Sequence, residues 1–146
     1  RIMSLKDGSK KMSKSELSDL SRINLVDDKD QIINKIKKAK TDPLAMPKNI
    51  KELEGRPEAQ NLLGIYTSLS NASFESSLEK FAAKNFSEFK EQLSELLVDK
   101  LTPISQEIKR LISDQSYLDS ILLDGVEKAN KIASKKIKNI KEIVGF

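Results

Sequence analysis

The chain has 146 residues, 38% of them hydrophobic, which is enough for one compact core and too little for a second complete domain. It holds neither cysteine nor histidine, which removes disulfides, thiolate-ligated metal, Ser-His and Cys-His nucleophile pairs and the commonest general base. Chemistry is left to charge: 26 Lys and Arg against 22 Asp and Glu leave only +4, so the placement of the lysines matters more than their number.

Taken in order, Arg1-Ile2-Met3-Ser4-Leu5 reads as the tail of a buried strand, and because the chain opens on Arg1 inside such a run, the expectation is a cut within a larger fold. Lys6 to Ser21 is rich in Lys, Ser, Asp and Gly without sustained apolar period, and is expected to be a loop. Asp27 or Asp28 can cap a helix carrying Ile32, Ile36 and Ala39 at helical spacing, ended by Thr41-Asp42-Pro43. Pro43, Pro47 and Gly55 mark a linker. Pro57 suits a first helical turn, after which Leu62, Leu63, Ile65, Tyr66 and Leu69 supply an apolar face as far as Asn71.

A short helix over Phe74 to Ala83 turns Leu78 and Phe81 inward, and a longer one from Ser87 keeps a three-to-four residue rhythm through Phe89, Leu93, Leu96, Leu97, Leu101, Ile104, Ile108 and Leu111. Pro103 either kinks that helix or, capped by Thr102, starts a new one. The last helix runs from about Ser116 to Val144, with Leu122, Val126, Ala129, Ala133, Ile137, Ile140 and Val144 on one side and Lys128, Lys131, Lys135 and Lys138 opposite. No apolar run approaches the roughly 18 residues that span a bilayer, and the first residues lack the pattern of a signal peptide, so a soluble, cytoplasmic protein is expected. The class is all-α, a helical bundle preceded by a strand remnant and a loop.

Residues 6 to 15 hold four lysines, one glycine and three serines, a cationic loop beside a strand end. Such a loop suits a polyphosphate, because flexible ammonium groups can follow charge as it builds on a leaving pyrophosphate while hydroxyls and backbone N–H groups fix the loop. An ammonium about 4 Å from phosphate charge is worth on the order of 4 kcal/mol near a protein surface before screening. By composition alone, the plainer reading is a solvated, disordered lysine-serine run.

Lys11-Met12-Ser13-Lys14-Ser15 is identical to the KMSKS signature of class I aminoacyl-tRNA synthetases, and the flanks extend the likeness. The segments Arg1 to Gly8, Ser21 to Asp28, Lys35 to Asp42, Asn61 to Tyr66, Gly125 to Ala129 and Val144 to Phe146 resemble bacterial tryptophanyl-tRNA synthetases, so the resemblance covers essentially the whole chain. It implies residues 1–21 as the end of a Rossmann-like, nucleotide-binding catalytic domain and residues 22–146 as a helical domain of the anticodon-binding type. The implied activity is ATP-dependent activation of L-tryptophan and its transfer to tRNA(Trp), in a protein that is generally a homodimer.

On that resemblance Lys11 and Lys14 are the catalytic residues, with Lys14 the stronger candidate for pyrophosphate stabilisation. Ile2, Lys11, Met12, Ser13, Lys14 and Ser15 would bind ATP, and Mg²⁺ would ride on the phosphates with no metal site in the protein. The family also carries a histidine-containing motif and the amino-acid pocket in an N-terminal half that this chain lacks, so the chain by itself is expected to be inert. Two other readings stay open: a tyrosyl-type class I synthetase, and a non-enzymatic helical RNA-binding module.

For RNA, the stripe Lys128, Lys131, Lys135 and Lys138 can follow a phosphate backbone, and Lys35, Lys37, Lys38 and Lys40 can do the same, though a solvated helix face explains either set. Arg22, Arg56, Arg110 and Tyr117 are the residue types that read or stack on bases. Phe81, Phe86 and Phe89 follow the core rhythm and are read as packing.

Overall fold

The computed structural model describes residues 1–145, and the first helix shows how local signals set its elements. Helix α1, Lys29–Lys38, starts where the Asp28 side chain accepts from the Gln31 N–H and the Gln31 side chain accepts from the Asp28 N–H, a capping box that satisfies two donors the first turn would otherwise leave open. Of the two acids that could have filled that place, Asp28 does; Asp27 is buried and used elsewhere. Helix α2, Pro57–Ser70, has Pro57 in its first turn and ends on Asn71 in the left-handed region at φ 55°. Helix α3, Phe74–Phe81, is capped by Ser73.

Helix α4, Phe86–Ser113, runs unbroken through Pro103. The missing proline N–H leaves the Asp99 carbonyl without its helical donor, and Asp99 is exposed, where water can serve it. Helix α5, Gln115–Val144, begins with Asp114 accepting from the Tyr117 N–H and closes on Gly145 at φ 84°. Two compact units result, Arg1–Gln106 and Glu107–Phe146.

The core lies in the first unit. Ile32 and Ile36 from α1, Leu62 and Leu63 from α2, Leu78 and Phe81 from α3, and Phe89 and Leu93 from α4 are buried together. Phe81 sits at its centre, edge-on to Tyr66 and to Phe89 with ring centroids 4.7 Å apart in both pairs. Burying such a side chain is worth about 1.5–3 kcal/mol. The expected packing role of Phe81 and Phe89 holds, and Phe86 lies partly buried against the same cluster.

Two expectations need correction. Residues 1 to 5 form no strand: among the described residues the only β pairing is a single antiparallel bridge between Met3 and Lys11. With one paired segment and no sheet beside it, Leu5 is held instead by burial and by backbone bonds from its N–H to Ser21 O (2.9 Å) and from the Lys40 N–H to its carbonyl (2.7 Å). The stretch between Pro43 and Gly55 is also more than a linker. Met46 and Leu53 enter the core, Ile50–Leu53 forms a 3₁₀ turn, and Met46 exchanges backbone hydrogen bonds with Ala83 and Lys84.

Candidate functional site

The lysine loop is a short hairpin with both ends fixed. On its first side the Ser4 N–H donates to Lys10 O (2.8 Å) and the Met12 N–H donates to Ile2 O (3.2 Å), flanking the Met3–Lys11 bridge. Asp7 shapes the turn: its Oδ1 accepts from the Ser9 N–H (3.0 Å) and hydroxyl, and its carboxylate pairs with Lys10 (3.3 Å). The Ser9 bonds and the Lys10 ammonium hold the Asp7 carboxyl below its usual range.

A second turn follows, where Ser13 Oγ accepts from the Ser15 N–H (3.2 Å) and Ser13 O accepts from the Glu16 N–H (3.4 Å), so Lys14 and Ser15 form its tip. Arg22 closes the far side, donating to Glu16 O (2.9 Å) and Asn24 Oδ1 (3.1 Å) while pairing with Asp19 (3.0 Å). The loop also seats against α2. Gly8 is buried so tightly that a Cβ there would meet the Pro57 carbonyl carbon at 2.5 Å and the Glu58 nitrogen at 2.6 Å. Glu58 pairs with Lys40 (2.8 Å), and that ammonium, together with its own and the Gly8 backbone N–H, lowers the carboxyl against the effect of burial.

Charge is distributed unevenly over these lysines. Lys10, Lys35 and Lys40 are each paired with carboxylates, whereas Lys11 and Lys14 are exposed and form no ion pair among the described residues. A cleft of about 250 Å³ opens beside Lys11, bordered also by Lys6, Lys10 and Ser13 together with Asp7 and Glu16; Lys14 lies outside its lining. Met12 is partly buried against the core, and Ile2, half exposed, borders a different cleft with Gly8, Pro57 and Asn61. The backbone thus brings Ile2 and Met12 together, while their side chains serve different surroundings.

Lys35 is not a surface residue. It is 3% exposed, with its ammonium 2.6 Å from both Asp27 and Asp19, and Asn24 ties the two acids further. It occupies the place between Ile32 and Ile36 on the apolar face of α1, a signal the helical spacing carries. Lys40 is held by Glu58, which leaves Lys37 and Lys38 as the exposed members of that basic cluster without an ion pair among the described residues.

The arginines proposed as base readers are likewise engaged. Arg56 grips Asp42 with two donors (2.9 and 2.8 Å) and reaches Ala45 O, and Arg110 is forked onto Glu107 (2.9 and 2.8 Å). Tyr117 is about half exposed. On α5, Lys128 pairs with Asp124 (2.6 Å) and Lys138 approaches Glu142 (4.0 Å). The described residues include no helix long and apolar enough to cross a membrane.

A family model described as class I tRNA synthetases (W and Y) matches residues 1–102. The whole chain is 51% identical to a tryptophan–tRNA ligase of Brucella melitensis and 53% identical to one of Agrobacterium fabrum, spanning 41% of each. In structure, all of it superposes on 44% of a tryptophanyl-tRNA synthetase from Mycoplasma pneumoniae, with a TM-score of 0.73 at 25% identity. Matched over two thirds of its residues and carrying the signature pentapeptide on an ordered hairpin, the chain belongs to the class I tRNA synthetases of the tryptophan and tyrosine group.

Proposed function

We propose that these residues supply the pyrophosphate-stabilising loop and the tRNA-facing helices of an enzyme that activates L-tryptophan with ATP and transfers it to tRNA(Trp) in the cytoplasm. In the first step the tryptophan carboxylate attacks the α-phosphorus, an aminoacyl-adenylate forms and pyrophosphate leaves. In the second, the 3′-terminal ribose hydroxyl of the tRNA takes the acyl group and AMP leaves. The observation that carries the reading is that Lys11 and Lys14, like Lys6, are exposed on a fixed hairpin and form no ion pair among the described residues, whereas Lys10 is neutralised by Asp7. Ammonium groups already neutralised by carboxylates would add little to a developing phosphate charge.

Residues 1–21 would close the nucleotide-binding domain, and 22–146 would form the helical domain. Lys14 at the loop tip and Lys11 at the bridge would meet the charge that grows on the leaving group, and their flexible stems let them track it. Ser13 and Ser15 hold the turn, and Met12 and Ile2 would border the nucleoside. Mg²⁺, carried on the phosphates, would offset part of their charge when ATP binds. The lysine stripe of α5 would add salt-dependent affinity for the tRNA backbone. The relatives' names favour tryptophan over tyrosine, and a homodimer is proposed for the complete enzyme.

The test is amino-acid-dependent ATP–pyrophosphate exchange by the full-length gene product. Tryptophan should support it, and Lys14→Ala should slow it by about 10²–10³-fold, the usual cost of removing one donor from a developing charge. The isolated 146-residue chain should stay at the blank rate. Exchange supported by tyrosine instead would favour the tyrosyl reading. An unchanged rate after Lys14→Ala would overturn the role given to the loop.

A further inference from the structure

We infer that Asn61 is a positioning residue for the lysine loop, acting through the backbone of Met3 and Ser4; the inference rests on the pyrophosphate role proposed for Lys11 and Lys14. Asn61 lies on α2 and is 8% exposed. Its Oδ1 accepts from the Met3 N–H (2.8 Å), and its Nδ2 donates to Met3 O (2.9 Å) and Ser4 O (3.4 Å). A carboxamide that both accepts from and donates to one residue fixes that backbone in place and in rotation, which no apolar side chain can do.

What is fixed in this way is the partner of Lys11. Met3 is the other half of the bridge, Ser4 N–H holds Lys10 O, and Ile2 O holds Met12 N–H. A lone bridge has little strength of its own, and a slip of one residue in its register would turn Lys11 to the opposite face. The register therefore depends on what grips residues 2 to 4, and Asn61 is the side chain whose hydrogen bonds reach across 58 positions to do so. Misplacing a charge-stabilising group by about 1 Å can cost on the order of 10²-fold in rate, so a distant clamp of this kind has a measurable consequence.

The test is a double-mutant cycle on tryptophan-dependent pyrophosphate exchange in the full-length gene product. Asn61→Ala should lower kcat per active site, with sites counted by the burst of adenylate formation, by about 10–100-fold while the KM for tryptophan changes by less than about twofold; counting active sites removes the fall in apparent kcat that loss of folded protein alone would give. In a Lys11→Ala background the same substitution should add less than about threefold, because the group being positioned is already gone. Asn61→Asp keeps the acceptor for the Met3 N–H, and it decides the matter should Asn61→Ala fail to melt cooperatively; it should fall between wild type and Lys14→Ala. Equal factors in both backgrounds, or wild-type kcat in Asn61→Asp and Asn61→Ala alike, would overturn the inference while leaving the loop's role intact. A Lys14→Ala enzyme with normal exchange would remove the loop's role and this inference with it.

Discussion

Helices α4 and α5 are nearly equal in length, 28 and 30 residues, and both carry apolar residues at three-to-four residue spacing. In the first half of α4 that spacing is used: Phe89, Leu93 and Leu97 are buried, whereas Ile104 further along is 44% exposed. In α5 no residue is buried, and Leu122, Val126, Ile137, Ile140 and Val144 are each more than half exposed. The contrast separates two things a periodic sequence can mean. Periodicity states which face of a helix is available for burial, and the amount of stability follows only from what that face meets. Within α5 the sources of order are local, namely the Asp114 cap, the Gly145 terminus and the pairs Lys128–Asp124 and Lys138–Glu142. Such exposed pairs contribute about 0.3–0.5 kcal/mol each.

The largest effect should come from the buried polar site of the first unit. Lys35→Ala would leave the Asp27 carboxylate, itself 4% exposed, without its cation, and breaking one side of a buried pair costs about 3–5 kcal/mol. Urea unfolding followed by circular dichroism measures this directly. The paired change Lys35→Met with Asp27→Leu should recover most of the loss, because two apolar groups demand no counter-charge. A loss that persists in the double variant would mean that the bond of Lys35 to Asp19 or the bonds of Asn24 to Asp27 carry it, and not the buried pair alone.

Next in size is Gly8→Ala. The added methyl would sit 2.5–2.6 Å from backbone atoms of Pro57 and Glu58, which cannot swing aside as a side chain can. Overpacking of this kind costs about 1–3 kcal/mol, and relief here means moving the loop away from α2. Pyrophosphate exchange should therefore fall along with stability, and a variant with unchanged stability and exchange would show that the loop does not rest on α2 in solution.

These two sites also mark what the sequence discloses and what it withholds. The cap at Asp28, the first-turn proline Pro57, the break at Asn71 and the helical order of the chain are legible because each depends on residues within one turn of one another. The lysine loop is legible for a different reason: its five residues are contiguous and identical to a family signature. Lys35 was half legible, since its place between Ile32 and Ile36 points inward although its charge suggests solvent. Met46 and Asn61 were not. Their partners lie at Ala83 and Lys84 and at Met3 and Ser4, and no local pattern announces a contact that only the folded chain brings about.

The smallest effect, and the sharpest test of the contrast between the helices, is Leu122→Ala in α5. Leu122 is 65% exposed, so its truncation removes little from a packed environment, and alanine is if anything the better helix former. The expected change in stability is within about 0.5 kcal/mol, with ellipticity at 222 nm essentially unaltered. The matching truncation Leu93→Ala in α4, at a position with no exposure, should cost about 2–5 kcal/mol. Should Leu122→Ala instead cost more than about 1 kcal/mol, the apolar side of α5 must be covered in solution, because no exposed leucine loses that much by truncation. Unfolding of wild type and Leu122→Ala across a range of concentrations would then show whether a second copy supplies the cover: a loss that shrinks on dilution requires a partner molecule, and one independent of concentration requires contacts within the same chain.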